Sequence, residues 1–217
     1  MVRRAIIFDL DGTLIDSAAD ITSVLNRMLA ARSMQPTSET SVRRLVGLAA
    51  TDIVKSVFGD RVATMDVDAA VAEFQATYRS IPPDPGALFP HALNVMHQLR
   101  QQGLTLGICT NKPEDNARRI ITGIGLDPHI EAIVGKREGL PPKPSPAAIF
   151  EVLRQLKAST SEAVYIGDSE VDAATAQAAD VPFVLVSFGY PMGNIEDIAC
   201  AARIDDFREL PDRLLAF

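Results

Sequence analysis

The chain has 217 residues, of which 47% are hydrophobic and 6% aromatic, a composition typical of a globular protein with one core and a smaller subdomain. Its net charge of -7 comes from 28 acidic and 21 basic residues, with no sustained basic run, which argues against nucleic acid or a membrane surface as a partner. No segment reaches transmembrane length, and Cys109 and Cys200 lack metal-type spacing. We expect a cytoplasmic protein, and the sequence leaves monomer and dimer both open.

The first predicted element is a buried strand that ends in two carboxylates. Residues 5–8 are apolar, Asp9 and Asp11 follow, and Gly12 and Thr13 complete the segment. Acids placed together at the carboxyl end of a strand repel each other and lose hydration, so they persist mainly where a cation or a reaction uses them. The alternative is a turn at Asp11-Gly12, with Asp9 as a cap.

Residues 16–80 are predicted to be wholly helical. Apolar residues recur with helical spacing from Ile21 and again from Val67, and shorter helices are predicted at 41–46 and 51–57. Three prolines and a glycine then interrupt both helix and strand between residues 81 and 86. This stretch predicts a linker or hinge.

Beyond residue 88 the pattern alternates between helix and strand. Strands are predicted at 105–109, 132–134, 163–166 and 183–186, with helices at 92–102, from Pro113, at 146–156 and at 170–179. Short apolar strands separated by helices predict an α/β fold with a Rossmann-like, doubly wound parallel sheet. The core domain would comprise residues 1–15 and 81–217, with residues 16–80 as an inserted helical cap able to close as a lid.

Polar residues follow successive predicted strands, and a parallel sheet would collect them at one edge. In chain order they are Asp9, Asp11, Thr110, Asn111, Lys143, Asp168 and Asp172. Acids, one lysine and neutral hydrogen-bonding groups suit a phosphate group held through Mg²⁺. Taken singly, Thr110, Asn111 and Asp168 could be helix caps and Lys143 a solvated loop residue. Their recurrence at successive strand ends favours a common site.

Four segments resemble, in order, the four motifs of the haloacid dehalogenase superfamily. They are Phe8-Asp9-Leu10-Asp11-Gly12-Thr13-Leu14, Cys109-Thr110-Asn111-Lys112-Pro113, Lys143-Pro144-Ser145-Pro146 and Gly167-Asp168-Ser169-Glu170-Val171-Asp172. Within the superfamily, Asp16-Ser17, the Thr110 to Pro113 segment and Phe188-Gly189-Tyr190 resemble the phosphoglycolate phosphatase group.

The resemblance implies an Mg²⁺-dependent phosphatase that acts on a small phosphorylated metabolite, with 2-phosphoglycolate as a candidate. Asp9 would attack phosphorus and form an aspartyl-phosphate, while Asp11 would serve as general acid and then general base. Mg²⁺ would lie between Asp9, the backbone carbonyl of Asp11, and Asp168, with Asp172 orienting that shell or pairing with Lys143. The transferring phosphoryl group would be stabilised by Thr110, Asn111 and Lys143.

Two other functions stay open at this point. A sugar phosphomutase of the beta-phosphoglucomutase type shares all four motifs, and a phosphate-binding protein without activity could keep the fold. Asp11 argues against a true dehalogenase. A phosphonatase would use a cap lysine to form a Schiff base, but Lys55, the one lysine of the cap, is expected on a solvated helix face. Candidate contacts to a substrate carboxylate are Arg43, Arg44 and Arg137, with exposed arginines as the alternative.

Overall fold

The computed structural model describes residues 4–215, and the sheet at its centre is parallel throughout. The described strands are β1 (Ala5–Phe8), β2 (Thr105–Pro113), β3 (Ala132–Lys136), β4 (Ala163–Gly167), β5 (Phe183–Val186) and β6 (Ala202–Ile204). Their order across the sheet is β3-β2-β1-β4-β5-β6, and all neighbouring pairs are parallel. The chain therefore winds outward in both directions from β1, and the predicted fold class is confirmed.

Strand β1 is the central strand that fixes the position of the site. All four of its residues are buried and apolar, as expected for a strand covered on both faces. Phe8 pairs with Ile108 of β2 on one side and with Ile166 of β4 on the other. The residues that follow Phe8 therefore emerge in the middle of the carboxyl edge of the sheet.

Helices cover both faces of the sheet. Outside the inserted segment they are α5 (Ala92–Gln101), α6 (Glu114–Gly123), α7 (Ala147–Leu156), α8 (Glu170–Ala179) and α9 (Leu210–Leu214). Ile6 and Phe8 of β1 belong to a buried apolar cluster with α5 and α6, while Ile7 belongs to a second cluster with α7 and α8. The alternating side chains of one strand thus join both halves of the core. No helix within residues 4–215 has the length and apolar character needed to cross a membrane.

The segment between β1 and α5 forms a helical block, as predicted. Its helices are α1 (Ala18–Ala30), α2 (Glu39–Arg43), α3 (Ala50–Phe58) and α4 (Val67–Arg79). Ser38 and Asp66 are N-caps of α2 and α4, since their side chains accept hydrogen bonds from backbone N–H groups in the first turn. The two connections to the core run side by side, because Ile15 bridges to Leu88 and the Asp16 N–H donates to the Ala87 carbonyl at 2.8 Å.

Two element predictions were wrong in detail, and one strand was not predicted. Strand β2 continues to Pro113, past the predicted end at Cys109, with a shift of register against β3. The helix predicted at 41–46 lies at Glu39–Arg43, where Ser38 provides the cap. Strand β6 was not predicted, because its three residues include a single buried side chain and so carry no periodic signal. The predicted core range also includes residues 1–3 and 216–217, which lie outside the described residues.

A close approach at Gly135 provides a test of this packing. A Cβ atom at Gly135 of β3 would lie 2.6 Å from the carbonyl oxygen of Lys112 and 2.6 Å from the Cα of Glu114. Both are backbone atoms that cannot move alone, so we expect Gly135→Ala to lower the free energy of unfolding by about 1–3 kcal/mol. Urea unfolding measures this loss.

The matched control is Gly193→Ala, whose Cβ would meet only the carboxylate of Glu170, at 3.2 Å. That flexible group can shift at little cost, so the control should unfold close to the wild-type midpoint. Equal midpoints for both variants would contradict the tight contact at Gly135.

Candidate active site

Three buried carboxylates meet at the carboxyl edge of the sheet. Oxygens of Asp9, Asp168 and Asp172 all lie within 4.8 Å of one another. The neighbouring strands β1 and β4 deliver Asp9 and Asp168, and Asp172 lies in the first turn of α8. Burial raises the pKa of Asp9 to about 7, with Lys143 lowering it in part and Asp172 raising it further. Burial and the neighbouring carboxylates also hold the pKa of Asp168 well above its usual range.

The Lys143 ammonium offsets part of this negative charge. Its Nζ lies 2.7 Å from Asp172 Oδ1 and 2.9 Å from Asp9 Oδ1, and the side chain is 2% exposed. The Tyr165 hydroxyl lies 3.1 Å from the same Nζ and 2.7 Å from Asp172 Oδ1. Burial lowers the pKa of Lys143, but Asp172 and Asp9 raise it by more, so the lysine is a cation here.

Both carboxylate oxygens of Asp172 accept hydrogen bonds. Oδ1 accepts from Lys143, while Oδ2 accepts from the Ser169 hydroxyl at 2.6 Å and from the backbone N–H groups of Asp168 and Ser169 at 3.2 Å. The sequence left two roles open for Asp172, to orient the Mg²⁺ ligands or to pair with Lys143, and the structure contains the pairing with Lys143. Sequence reasoning missed Tyr165, which a buried polar residue inside an otherwise apolar strand could have signalled.

Asp168 is fixed by the loop after β1 and by the segment after β5. Its Oδ1 accepts from the Thr13 hydroxyl at 2.9 Å, and its Oδ2 accepts from the Tyr190 N–H at 2.7 Å. Gly12 has a φ of +83°, and a Cβ atom there would lie 2.3 Å from Asp168 Oδ2. The glycine in the Asp11-Gly12-Thr13 segment is therefore required both by backbone conformation and by the space that Asp168 occupies.

The donor set fits a divalent cation. Asp9 Oδ1 is buried and, within the described residues, has no hydrogen-bond donor, because the approach of Lys143 is an ion pair without hydrogen-bond angles. The oxygens of Asp168 each retain a second lone pair. Three buried carboxylates share one ammonium, so the cluster is short of positive charge. Hard carboxylate oxygens are the ligands that Mg²⁺ prefers, with Asp9 and Asp168 as the groups best placed to hold it.

Thr110 and Asn111 follow the apolar part of β2 and face the same edge. The Thr110 hydroxyl accepts from the Lys112 N–H at 3.2 Å. Asn111 Oδ1 accepts from the Lys143 N–H at 2.8 Å, and Asn111 Nδ2 donates to the Lys143 carbonyl at 3.3 Å. The same Nδ2 lies 3.2 Å from the carbonyl of Gly47, in the helical block. Asn111 thus joins the Lys143 loop to the block.

Asp11 does not join the three-acid cluster but pairs with Lys112. The two side chains are 9% and 7% exposed, and Lys112 Nζ lies 2.9 Å from Asp11 Oδ1. Tyr78 of α4 lies over this ammonium, with its hydroxyl 3.4 Å and its ring centroid 4.5 Å from Nζ. Burial lowers the pKa of Lys112, but Asp11 and Tyr78 together raise it above its usual value. Lys112 lies within one of the four motif segments but was not predicted as a site residue.

A small cavity lies between this edge of the sheet and the helical block. The core side provides Asp9, Asp11, Thr110, Asn111 and Lys112. The facing side is mostly apolar and includes Ile21, Val46, Leu48, Ile53, Phe74 and Tyr78. The cavity has a volume of about 60 Å³, so it suits a small ligand.

The three arginines predicted to contact a substrate lie elsewhere. Arg43 pairs with Asp16 at 2.8 Å and lies over the Tyr190 ring, with 5.1 Å from its Cζ to the ring centroid. Arg137 pairs with Glu114 at 2.6 Å and with Glu151 at 3.2 Å, and Arg44 is exposed. In the described part of the chain, none of the three lines the cavity. For Arg43 and Arg137, partner carboxylates within the fold explain the difference, since the sequence could not show which acids would be near.

The chain matches the family model described as haloacid dehalogenase-like hydrolase over residues 6–186, and it belongs to this family. The match begins within β1, ends with β5 and includes all four motifs. The predicted family is thereby confirmed, and the enzyme class is that of a phosphatase within it.

Relatives of known name align over nearly the whole chain. A phosphoglycolate phosphatase of Rhodospirillum rubrum is 37% identical over 97% of this chain and 90% of its own length. One from Mesorhizobium japonicum is 33% identical over 99% of this chain and 98% of its own. A solved structure of a predicted phosphoglycolate phosphatase from Haemophilus somnus has a TM-score of 0.86 at 23% identity over 97% of both chains, a likeness of fold.

The raised pKa of Asp9 predicts how the stability of the metal-free protein depends on pH. The pKa of Asp9 is about 7 in the folded state and near 3.8 in the unfolded state. Between these two pH values, Asp9 is therefore protonated in the folded state and ionised in the unfolded state. Ionisation of Asp9 therefore destabilises the fold progressively as pH rises from about 4 to 7. In EDTA, we expect the melting temperature of Asp9→Asn minus that of the wild type to increase as pH rises over this range. Above a pH of about 7 this difference should stay constant.

Excess Mg²⁺ should reduce this difference at pH 8, because a bound cation stabilises the ionised carboxylate of the wild type. Thermal unfolding of both proteins with and without Mg²⁺ provides the measurement. A difference that stays constant from pH 4.5 to 8 would contradict the raised pKa of Asp9.

Proposed function

We propose that this phosphatase hydrolyses 2-phosphoglycolate or a closely related small carboxylated phosphate ester, with Mg²⁺ as its cofactor. The observation that carries the proposal is the buried cluster of Asp9, Lys143, Asp168 and Asp172, of which Asp9 lines a small cavity. The named relatives, phosphoglycolate phosphatases at 33% and 37% identity, support this substrate.

The geometry supports Asp9 as the nucleophile. Its carboxylate faces the cavity, and the Lys143 ammonium 2.9 Å away balances charge as the phosphoryl group approaches. The reaction would form a bond between an Asp9 oxygen and phosphorus while the bond from phosphorus to the ester oxygen breaks. Thr110 borders the same part of the cavity and would bind a phosphoryl oxygen.

Asp11 lines the same cavity two residues further along and would act as the general acid and base. It would give a proton to the leaving ester oxygen, and later take one from the water that attacks the phosphorus of the aspartyl-phosphate. The product would be inorganic phosphate and a free Asp9 carboxylate. Asp9 and Asp168 would hold Mg²⁺ with the backbone carbonyl of Asp11, and the cation would supply positive charge for the phosphoryl oxygens.

Residues 16–80 are proposed as a cap that opens to admit substrate and release product. The two adjacent connections at Asp16 and Ala87 form a narrow attachment, and the short 3₁₀ helix at Pro85–Ala87 stiffens one of them. The free thiols of Cys109 and Cys200 suit the reducing cytoplasm as the place of action on a phosphorylated metabolite.

The first test measures phosphate release from a panel of esters that includes 2-phosphoglycolate, glycerol phosphate and hexose phosphates. We expect turnover with Mg²⁺, loss of turnover in EDTA, and loss in Asp9→Asn, because an amide is a poor nucleophile of nearly the same shape. Release of phosphate distinguishes hydrolysis from a phosphomutase, which would return an isomeric sugar phosphate. Full turnover in EDTA or by the folded Asp9→Asn protein would contradict the proposal.

The second test addresses Asp11. Asp11→Asn removes the acid and the base, so a loss of about 10²- to 10⁴-fold in the rate constant kcat is expected. The loss should be smallest for aryl phosphates, whose leaving oxygen needs little protonation. Equal losses for aryl and alkyl esters would count against Asp11 as the acid.

A further inference from the structure

Lys112 is a second buried lysine at the site, and it pairs with Asp11 rather than with the three-acid cluster. The Lys143 ammonium already lies between Asp9 and Asp172, beside the position of the reacting phosphoryl group. Lys112 reaches the cavity from the end of β2, and its side chain is 7% exposed. Burying an ammonium is costly unless anions accompany it, and among the described residues Asp11 is the one anion paired with Lys112.

The surroundings of Lys112 limit what its ammonium can meet in the cavity. The facing wall includes Ile21, Val46 and Phe74, which offer no charge. Of the described residues that line the cavity, Lys136 is the one other cation, and it is exposed. An anionic group that enters this space therefore has Lys112 as its buried partner.

We propose that Lys112 is the specificity-determining residue of this enzyme, and that it binds a carboxylate of the substrate while Asp11 faces the ester oxygen. This assignment rests on the function proposed above. It replaces Arg43, Arg44 and Arg137, whose side chains lie outside the cavity.

The distance between Lys112 and Asp11 limits how far the substrate carboxylate can lie from the ester oxygen. An ester oxygen in contact with Asp11 lies within about two hydrogen-bond lengths, or about 6 Å, of Lys112 Nζ, because this Nζ is 2.9 Å from Asp11 Oδ1. A carboxylate carried by the carbon next to the ester oxygen reaches the ammonium within that span. The span therefore accommodates a phosphate ester whose carboxylate is one carbon from the ester oxygen, which is the substrate class of this proposal.

Tyr78 completes this subsite. Its hydroxyl accepts a hydrogen bond from Lys112 at 3.4 Å, so its own proton is available for a carboxylate oxygen. The ring lies 4.5 Å from Nζ and restrains the ammonium from the cap side. Lys112 belongs to the core and Tyr78 to the helical block, so a carboxylate bound here would contact both.

The experiment compares two substrates of nearly the same shape, 2-phosphoglycolate and its amide, glycolamide phosphate. We expect Lys112→Met to reduce kcat/KM for 2-phosphoglycolate by about 10- to 100-fold more than for the amide, which corresponds to loss of one charged hydrogen bond. Lys112→Arg should retain part of the preference. The control Lys55→Met removes an exposed cap lysine and should leave the ratio unchanged.

Binding measured without turnover separates this inference from the proposed function. Calorimetry in the Asp9→Asn background measures binding of 2-phosphoglycolate, glycolamide phosphate and inorganic phosphate. Lys112→Met should weaken the binding of 2-phosphoglycolate and leave the binding of the other two ligands unchanged. If wild type does not hydrolyse 2-phosphoglycolate but this selective loss occurs, the substrate of the proposed function fails while the carboxylate site stands. Equal losses for both esters, or a ratio that responds to Arg137→Met rather than to Lys112→Met, would overturn the inference.

Discussion

The contact of Lys143 with Asp9 and Asp172 is the interaction on which the rest of the site depends. A parallel sheet that ends in acids at neighbouring strands must place like charges together in a buried region, and this costs both hydration and repulsion. The Lys143 Nζ, within 3 Å of two carboxylates, makes that arrangement possible. The Asn111 side chain holds the lysine's backbone in turn, through hydrogen bonds to both its N–H and its carbonyl.

The single charge of Lys143 does not neutralise all three carboxylates, and the excess negative charge bears on function. With Asp172 committed to Lys143, Tyr165 and Ser169, the excess negative charge falls on Asp9 and Asp168, whose pKa values are both raised. If this cluster served only the fold, replacing one of these acids with a neutral residue would make the folded state more stable. Their presence together, next to a cavity, supports the metal-assisted reaction at phosphorus proposed above.

The order of elements and the residues at the strand ends could be predicted because both follow from short-range rules. The apolar run of β1, the helix α8 and the site acids at strand ends are readable from periodicity and from the direction of parallel strands. Side-chain partners could not be read in this way. The sequence does not reveal that Glu114 and Glu151 lie beside Arg137, or that Lys112 faces Asp11, because these contacts join residues far apart in the chain.

The helical block contacts the core through the same residues that form the site, so its position and the state of the site cannot be independent. Gly47 meets Asn111, which holds the Lys143 loop, and Tyr78 meets Lys112, which pairs with Asp11. Arg43 lies over Tyr190, whose N–H donates to Asp168. Withdrawal of the block would remove one partner from each pair. The side chains that would bind phosphate, carboxylate and metal are therefore fully supported only with the block in place, so the proposed enclosure of the substrate would be linked to catalytic competence.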